Sequence, residues 1–178
     1  MTAKRELWIL LAMFILPIAL GTLFYYLGPK YFSESTVNYG ELVQPIIVTQ
    51  KEDFAIDGGG SFEGLWTLAY VSNKCEILCS KAVKDMETIR VLMNDEMRRI
   101  QTAVIIADGS MPTDISGKIV SAVIISQTIS QRLSLYSKRA IFLIDPIGNI
   151  MMYYEPEEID IKRAVKDLKR LLKYSRIG

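Results

Sequence analysis

From Leu7 to Gly28 the chain carries no charged residue, reading Leu-Trp-Ile-Leu-Leu-Ala-Met-Phe-Ile-Leu-Pro-Ile-Ala-Leu-Gly-Thr-Leu-Phe-Tyr-Tyr-Leu-Gly. About 20 apolar residues at a rise of 1.5 Å each span a hydrocarbon core, so this stretch is expected to be a transmembrane helix. Pro17 is tolerated in such a helix and is expected to kink it. Trp8 near one end and Tyr25 and Tyr26 near the other suit the two membrane interfaces. Lys4 and Arg5 precede the span, with Glu6 beside them and Lys30 on the far side. That balance places the N-terminus in the cytoplasm and the rest of the chain outside it. A cleaved signal peptide would need a small-residue site, and Ala19-Leu20-Gly21 offers only a weak one. The apolar run continues past it, which favours an uncleaved anchor. No cysteine lies near the span, as a lipoprotein signal requires.

The chain then divides into residues 1–28 (cytoplasmic tip and anchor), 29–50 (an extended linker landing on the domain edge) and 51–178 (one domain). Lys+Arg 21 against Asp+Glu 20 leaves a net charge of +1, with no basic excess for a nucleic-acid partner. Asp57-Gly58-Gly59-Gly60-Ser61 can supply the backbone angles of a hairpin tip. It is not a phosphate loop, because no Gly-Lys-Ser/Thr follows.

Leu65 to Val71 is apolar on both faces and reads as a central strand. Glu76 to Met93 reads as a helix, with Ala82, Met86, Ile89 and Met93 marking its buried face. This methionine stripe is read as core rather than as a metal set. Thr102–Ala107 and Ala140–Ile144 read as further strands, with Val120–Ile125 as a strand and Gln127–Leu133 as a short helix between them. Asp145-Pro146-Ile147-Gly148-Asn149 matches a type I turn with a glycine bulge, returning the chain as Ile150–Tyr154. A last helix is expected from Pro156 to Tyr174. Ile161, Val165, Leu168 and Leu172 face the core there, with acids in the first turn and bases near the end to suit the dipole. The order predicts an α/β, thioredoxin-like domain following a single N-terminal transmembrane helix.

Cys75 and Cys79, the only cysteines, fall where the first long strand feeds its helix. This is the strand end at which open α/β sheets place their sites. Residues four apart on a regular helix hold their Cβ atoms about 5–6 Å apart, whereas a disulfide wants about 3.5–4.5 Å. A bridge therefore requires the first turn to loosen. A metal shared by two thiolates tolerates a wider gap. The helix N-terminus and Lys74 favour a thiolate and Glu76 opposes it; a merely solvated Lys74 is the plainer alternative. Soft thiolates select Cu(I), zinc or iron–sulfur clusters. Two cysteines with no histidine in the chain are too few for the latter two, which leaves Cu(I) as the metal candidate. The plain alternative is a structural disulfide, though so short a loop removes little unfolded-chain entropy. The absence of histidine also excludes the Ser-His-Asp and Cys-His arrangements. Asp53, Asp57 and Asp145 sit in turn contexts and form no acid–base pair.

The anchor, the motif Cys75-Glu76-Ile77-Leu78-Cys79 and the run Phe142-Leu143-Ile144-Asp145-Pro146-Ile147-Gly148-Asn149 resemble the Sco family of membrane-anchored, thioredoxin-like cytochrome oxidase assembly proteins. That likeness runs loosely over residues 52–155. Four further segments resemble a group of proteobacterial transmembrane proteins associated with the same assembly: Asn38–Leu42, Gly64–Ser72, Asp145–Met152 and Asp167–Gly178. The resemblance implies an inner-membrane protein with a periplasmic domain, and cytochrome oxidase subunits or copper assembly factors as partners. It implies thiol–disulfide exchange or Cu(I) handling by Cys75 and Cys79, both as catalytic thiols and as metal ligands. Thioredoxin habit makes Cys75 the attacking thiol. Sco proteins bind copper with two cysteines and a histidine eight residues before the aspartate of the Asp-Pro turn. Counting back from Asp145 gives Ser137, so Cu(II) affinity is expected to be much reduced. Ser80 stands where Sco carries a proline. The missing imidazole favours the thiol role over the copper role. A non-catalytic docking module with the cysteines as a staple is the alternative from another class.

Overall fold

The structure is a computed structural model and describes residues 3–32, 37–57, 61–107 and 119–177. Two compact units emerge, Met1–Val37 and Asn38–Gly178. The first is dominated by one helix, α1 (Ala3–Phe32), unbroken through Pro17. Its segment Lys4–Tyr26 is long and apolar enough to cross a membrane. The apolar side chains from Leu7 to Tyr26 are all exposed within the protein, as a lipid-facing surface requires.

The second unit is built on a seven-stranded mixed sheet. Its elements run β1 (Glu41–Val48), β2 (Phe54–Ile56), β3 (Trp66–Ser72), α2 (Ile77–Leu92), β4 (Ile100–Ile106), β5 (Ile119–Ile124), α3 (Gln127–Ser134), β6 (Arg139–Ile144), β7 (Asn149–Tyr154) and α4 (Ile161–Tyr174). The spatial order is β1-β7-β6-β3-β4-β5-β2. β3 is parallel to β4 and antiparallel to β6, so the strand expected to be central has neighbours on both sides. That position explains its apolar character on both faces.

The sheet separates two cores. On one face Trp66, Leu68 and Tyr70 pack with Cys79, Ala82, Met86, Ile89 and Met93 of the α2 region and with Ala164, Leu168 and Leu172 of α4. On the other, Ala69, Ala103, Ile105 and Phe142 pack with Ile129 and Leu133 of α3. The methionine stripe of α2 is core, as its spacing indicated.

Several boundaries differ from the sequence expectations. Within the stretch read as a linker, Glu41–Val48 forms the edge strand β1, paired antiparallel to β7. Its ladder is interrupted between Leu42 and Ile47, around Pro45, which has no N–H to donate. Glycines 58–60 of the expected hairpin tip lie outside the described residues. The strands flanking that tip are not hairpin partners, because β4 and β5 lie between β3 and β2. The last helix begins at Ile161 rather than near Pro156, with the Asp160 carboxylate accepting from Arg163 N at 3.1 Å. Residues 156–160 are held out of the helix by tertiary bonds. Lys81 Nζ donates to Pro156 O at 2.8 Å, and the Tyr39 hydroxyl donates to Glu158 O while accepting from Asp160 N. Ile161, expected in the core, is half-buried. The Asp145 turn forms as read: Gly148 N donates to Asp145 O at 3.0 Å, and Gly148 has φ +92°. The Asp145 carboxylate accepts from Ile147 N and Asn149 N, so it is spent on the turn.

Candidate functional site: the Cys75–Cys79 pair

Cys75 and Cys79 are joined in a disulfide at the carboxyl end of β3. The backbone arrives there under tight control. Ala107 N donates to Ser72 O at 3.0 Å, pinning the end of β3 to the end of β4. Ser72 Oγ donates to Lys74 O at 2.9 Å and folds the chain back toward the helix. Glu76 is the N-cap residue of α2, in extended conformation, and Cys79 N donates to Glu76 O at 2.9 Å to open the first turn. Cys75 therefore lies just outside the helix and does not share a regular helical face with Cys79. This is the loosening that the bridge needs. The two Cα atoms are 5.1 Å apart, within the span a disulfide accepts.

The two sulfur-bearing residues differ in access. Cys79 is 0% exposed and belongs to the core with Tyr70, Ala82 and Met86, whereas Cys75 is half-buried at the edge of that core. Ile77, between them, is 91% exposed, and Glu76 and Lys74 also face solvent. Cys75 is thus the more accessible of the two, with the exposed apolar Ile77 two residues on.

Ser137 lies at the same sheet end, since Ser72 is opposite Arg139 in the β3–β6 register. Its hydroxyl donates to Arg139 O at 2.8 Å and accepts from Arg139 N at 3.2 Å, closing a small turn. It lines a cavity of about 60 Å³ with Ser72, Asn73, Ser134 and Lys138, which the cysteines do not line. Among the described residues no three His, Cys, Asp or Glu side chains gather to hold a metal. The donor set for an ion is therefore the two thiolates, which are available only after reduction; two soft sulfurs match Cu(I).

Two features escaped the sequence reading. Tyr70 is fully buried on the α2 side, and its hydroxyl has no hydrogen-bond partner. Burial pushes its pKa up, partly offset by Ser72 and Arg139. Asp167 is buried in α4 and accepts from Tyr39 N and Gly40 N, both at 2.9 Å. A polar residue in a helical pattern reads as solvent-facing, which hid Asp167; the burial of Tyr70 follows from its doubly apolar strand, and only the surroundings of its hydroxyl gave no signal.

Residues 66–175 match the family model described as transmembrane-like, thioredoxin-like, C-terminal domain. The chain belongs to that family. No curated protein matches it. Among solved structures, this transmembrane-like, thioredoxin-like protein is similar to yeast Sco1 with copper bound, at 14% identity and a TM-score of 0.50, covering 64% of this chain and 82% of that one. It is also similar to a SCO1/SenC family lipoprotein of Bacillus anthracis, at 16% identity and TM-score 0.45, covering 62% and 83%. A third is the thioredoxin domain of a thiol-disulfide oxidoreductase from Bacteroides vulgatus, at 15% identity and TM-score 0.47, covering 72% and 94%. At such identity the yeast protein bears on fold alone, and the fold is the Sco-like, thioredoxin-like one with an N-terminal apolar helix.

Proposed function

We propose that this protein is a single-pass inner-membrane protein with its thioredoxin-like domain in the periplasm. It serves cytochrome oxidase biogenesis by thiol–disulfide exchange through Cys75 and Cys79. The observation that carries the reading is the unequal access of the pair, Cys75 half-buried at the edge of the core and Cys79 fully buried within it. In the reduced protein the Cys75 thiolate attacks a disulfide of the partner, such as an oxidised copper-site pair of an oxidase subunit. One partner sulfur leaves as a thiolate and takes up a proton, and a mixed disulfide remains. The Cys79 thiolate then attacks Cys75 Sγ. The second partner sulfur leaves, and the Cys75–Cys79 disulfide results. A dithiol reductant must then return the pair to work.

The test is a Cys79→Ser variant expressed in cells alongside Cys75→Ser/Cys79→Ser. The single variant is expected to accumulate mixed disulfides through Cys75, and the double variant to lose oxidase activity. Full oxidase activity in the double variant would defeat the redox reading and leave a docking module with a staple.

Cu(I) carriage is a second reading, favoured by the 5.1 Å Cα separation, which lets two thiolates face one ion after reduction. Anaerobic Cu(I) competition against the reduced full chain in detergent decides it. One-to-one binding lost in the double serine variant supports copper transfer, and binding independent of the cysteines removes it.

A further inference from the structure

In the same core as Cys79 lies a tyrosine that the exchange chemistry above does not use. Tyr70 is 0% exposed; the Ser72 hydroxyl is its nearest polar neighbour, but no partner completes a hydrogen bond to its own hydroxyl. Proteins rarely bury a hydroxyl in this way, because its desolvation goes uncompensated. The surroundings show what it faces. Leu68 and Tyr70 lie on the sheet face covered by α2, in one core with Cys79 and with Cys75 packed against it. α2 leaves the carboxyl end of β3 and returns to the start of β4, so its first turn, which carries Cys79, covers the last residues of β3. Ser72, next on the same face, is bonded to Lys74 O, the residue before Cys75. The charges that act on the Tyr70 hydroxyl are Arg139, Glu157 and Glu76, all at this sheet end, and Glu76 sits in the bridge between the cysteines.

We propose that Tyr70 is a latent hydrogen-bond donor to the Cys79 thiolate. Its hydroxyl is unpaired while the disulfide is closed and engages Cys79 Sγ when the bond opens. This rests on the thiol-exchange reading. A disulfide sulfur is a weak acceptor, whereas a thiolate is a charged one that draws a short, strong bond. When a dithiol reduces the pair, its thiolate attacks the accessible Cys75 Sγ. The Sγ–Sγ bond breaks, and its electron pair leaves on Cys79. The reductant's second thiolate then displaces Cys75, and the reductant becomes a disulfide. Two electrons and one proton have passed to the pair: Cys75 ends as a thiol, Cys79 stays a thiolate, and the reductant's other proton goes to solvent. Tyr70 keeps its proton throughout and holds the sulfur that leaves. The same bond holds Cys79 in place as the resolving thiolate when the reaction runs the other way.

The experiment is Tyr70→Phe in the full chain in detergent micelles, with Tyr174→Phe at an exposed position as control. Each is equilibrated against reduced and oxidised dithiothreitol, and each redox state is unfolded in urea. Tyr70→Phe is expected to lower the equilibrium constant for reduction about tenfold, about 30 mV more negative, with the control unmoved. The oxidised variant should unfold at the same or higher urea, because an unpaired hydroxyl has gone, and the reduced variant at lower urea. An unchanged or less negative potential overturns the proposal. So do equal urea shifts in both states, or an oxidised variant that does not fold. A wild-type pair that cannot be reduced in the folded protein removes the exchange reading with it. A reducible wild-type pair with an unmoved variant removes the Tyr70 role alone.

Discussion

Reducing Cys75–Cys79 should leave the domain folded, and the size of the effect follows from the loop. With a sequence separation of 4 the bridge closes a very short loop. Loop-closure entropy for about five residues amounts to about 2 kcal/mol at 25 °C. Domains of this size are stable by about 5–15 kcal/mol, so losing the bridge removes a minor part. The assay is urea unfolding of the full chain in detergent with and without a dithiol, followed by Trp66 emission. Trp66 is buried in the core, and a Trp8→Phe background removes the signal of α1. With a slope of about 2 kcal/mol per molar urea, the midpoint should fall by about 1 M on reduction. A drop of several molar, or Trp66 emission already shifted to the red without urea, would refute the reasoning and make the bridge a staple.

Three further outcomes are expected. Asp167→Ala strands two backbone donors, Tyr39 N and Gly40 N, and should cost about 3–6 kcal/mol at about 1.5–3 kcal/mol for each bond to a charged acceptor; urea midpoints measure it, and a loss under about 1 kcal/mol, on the order of one neutral bond, contradicts the tether. Gly40→Ala would set a Cβ 2.5 Å from Met152 Sδ and 2.6 Å from Tyr154 Cε1, so overpacking should destabilise by about 1–3 kcal/mol; a neutral result in the same assay means that the edge gives way freely. Burial, and then the hydrogen bond to Glu41, hold the Tyr153 hydroxyl pKa up to about 12. The protonated form is favoured by folding, so this contribution is complete below pH 10, the ordinary tyrosine value, and is lost as pH rises toward 12. Absorbance at about 295 nm and unfolding midpoints across pH 9 to 12, compared with Tyr153→Phe, test it, and a normal titration near pH 10 for Tyr153 speaks against it.

The fold was legible where one physical rule acted alone. The charge-free run Leu7–Gly28 falls within α1, and doubly apolar Leu65–Val71 became the central β3. The 3–4 spacing of Ala82, Met86, Ile89 and Met93 gave the buried face of α2, and Asp145-Pro146 with Gly148 gave a true turn. Readings went astray where distant residues decide. β1 exists because β7 offers it an edge, though Pro45 argues against a strand locally. Residues 156–160 carry the acids of a helix start, yet Tyr39 and Lys81 hold them out of it. At the site, the cysteines and their place after a strand were visible in the motif. Their unequal access was not, because it depends on where α2 begins, and a start two residues earlier would bring Cys75 into the helix. Tyr70 and Asp167 were invisible for a related reason: their roles come from partners or vacancies created only by packing.

The contact between Gly40 and Asp167 spans 127 residues of sequence, and the central strand β3 gains its neighbour β6 only about seventy residues later, Ser72 facing Arg139 and Thr67 facing Ile144. Such a sheet cannot close until nearly the whole chain has been delivered, and folds built on distant pairings close slowly. There is thus a period in the life of each molecule when both thiols are open to any oxidant, and a later one when only Cys75 can be reached. Timing alone then sorts the reagents. An indiscriminate oxidant acts on the new chain, and on the exchange proposed above every later reaction comes through Cys75.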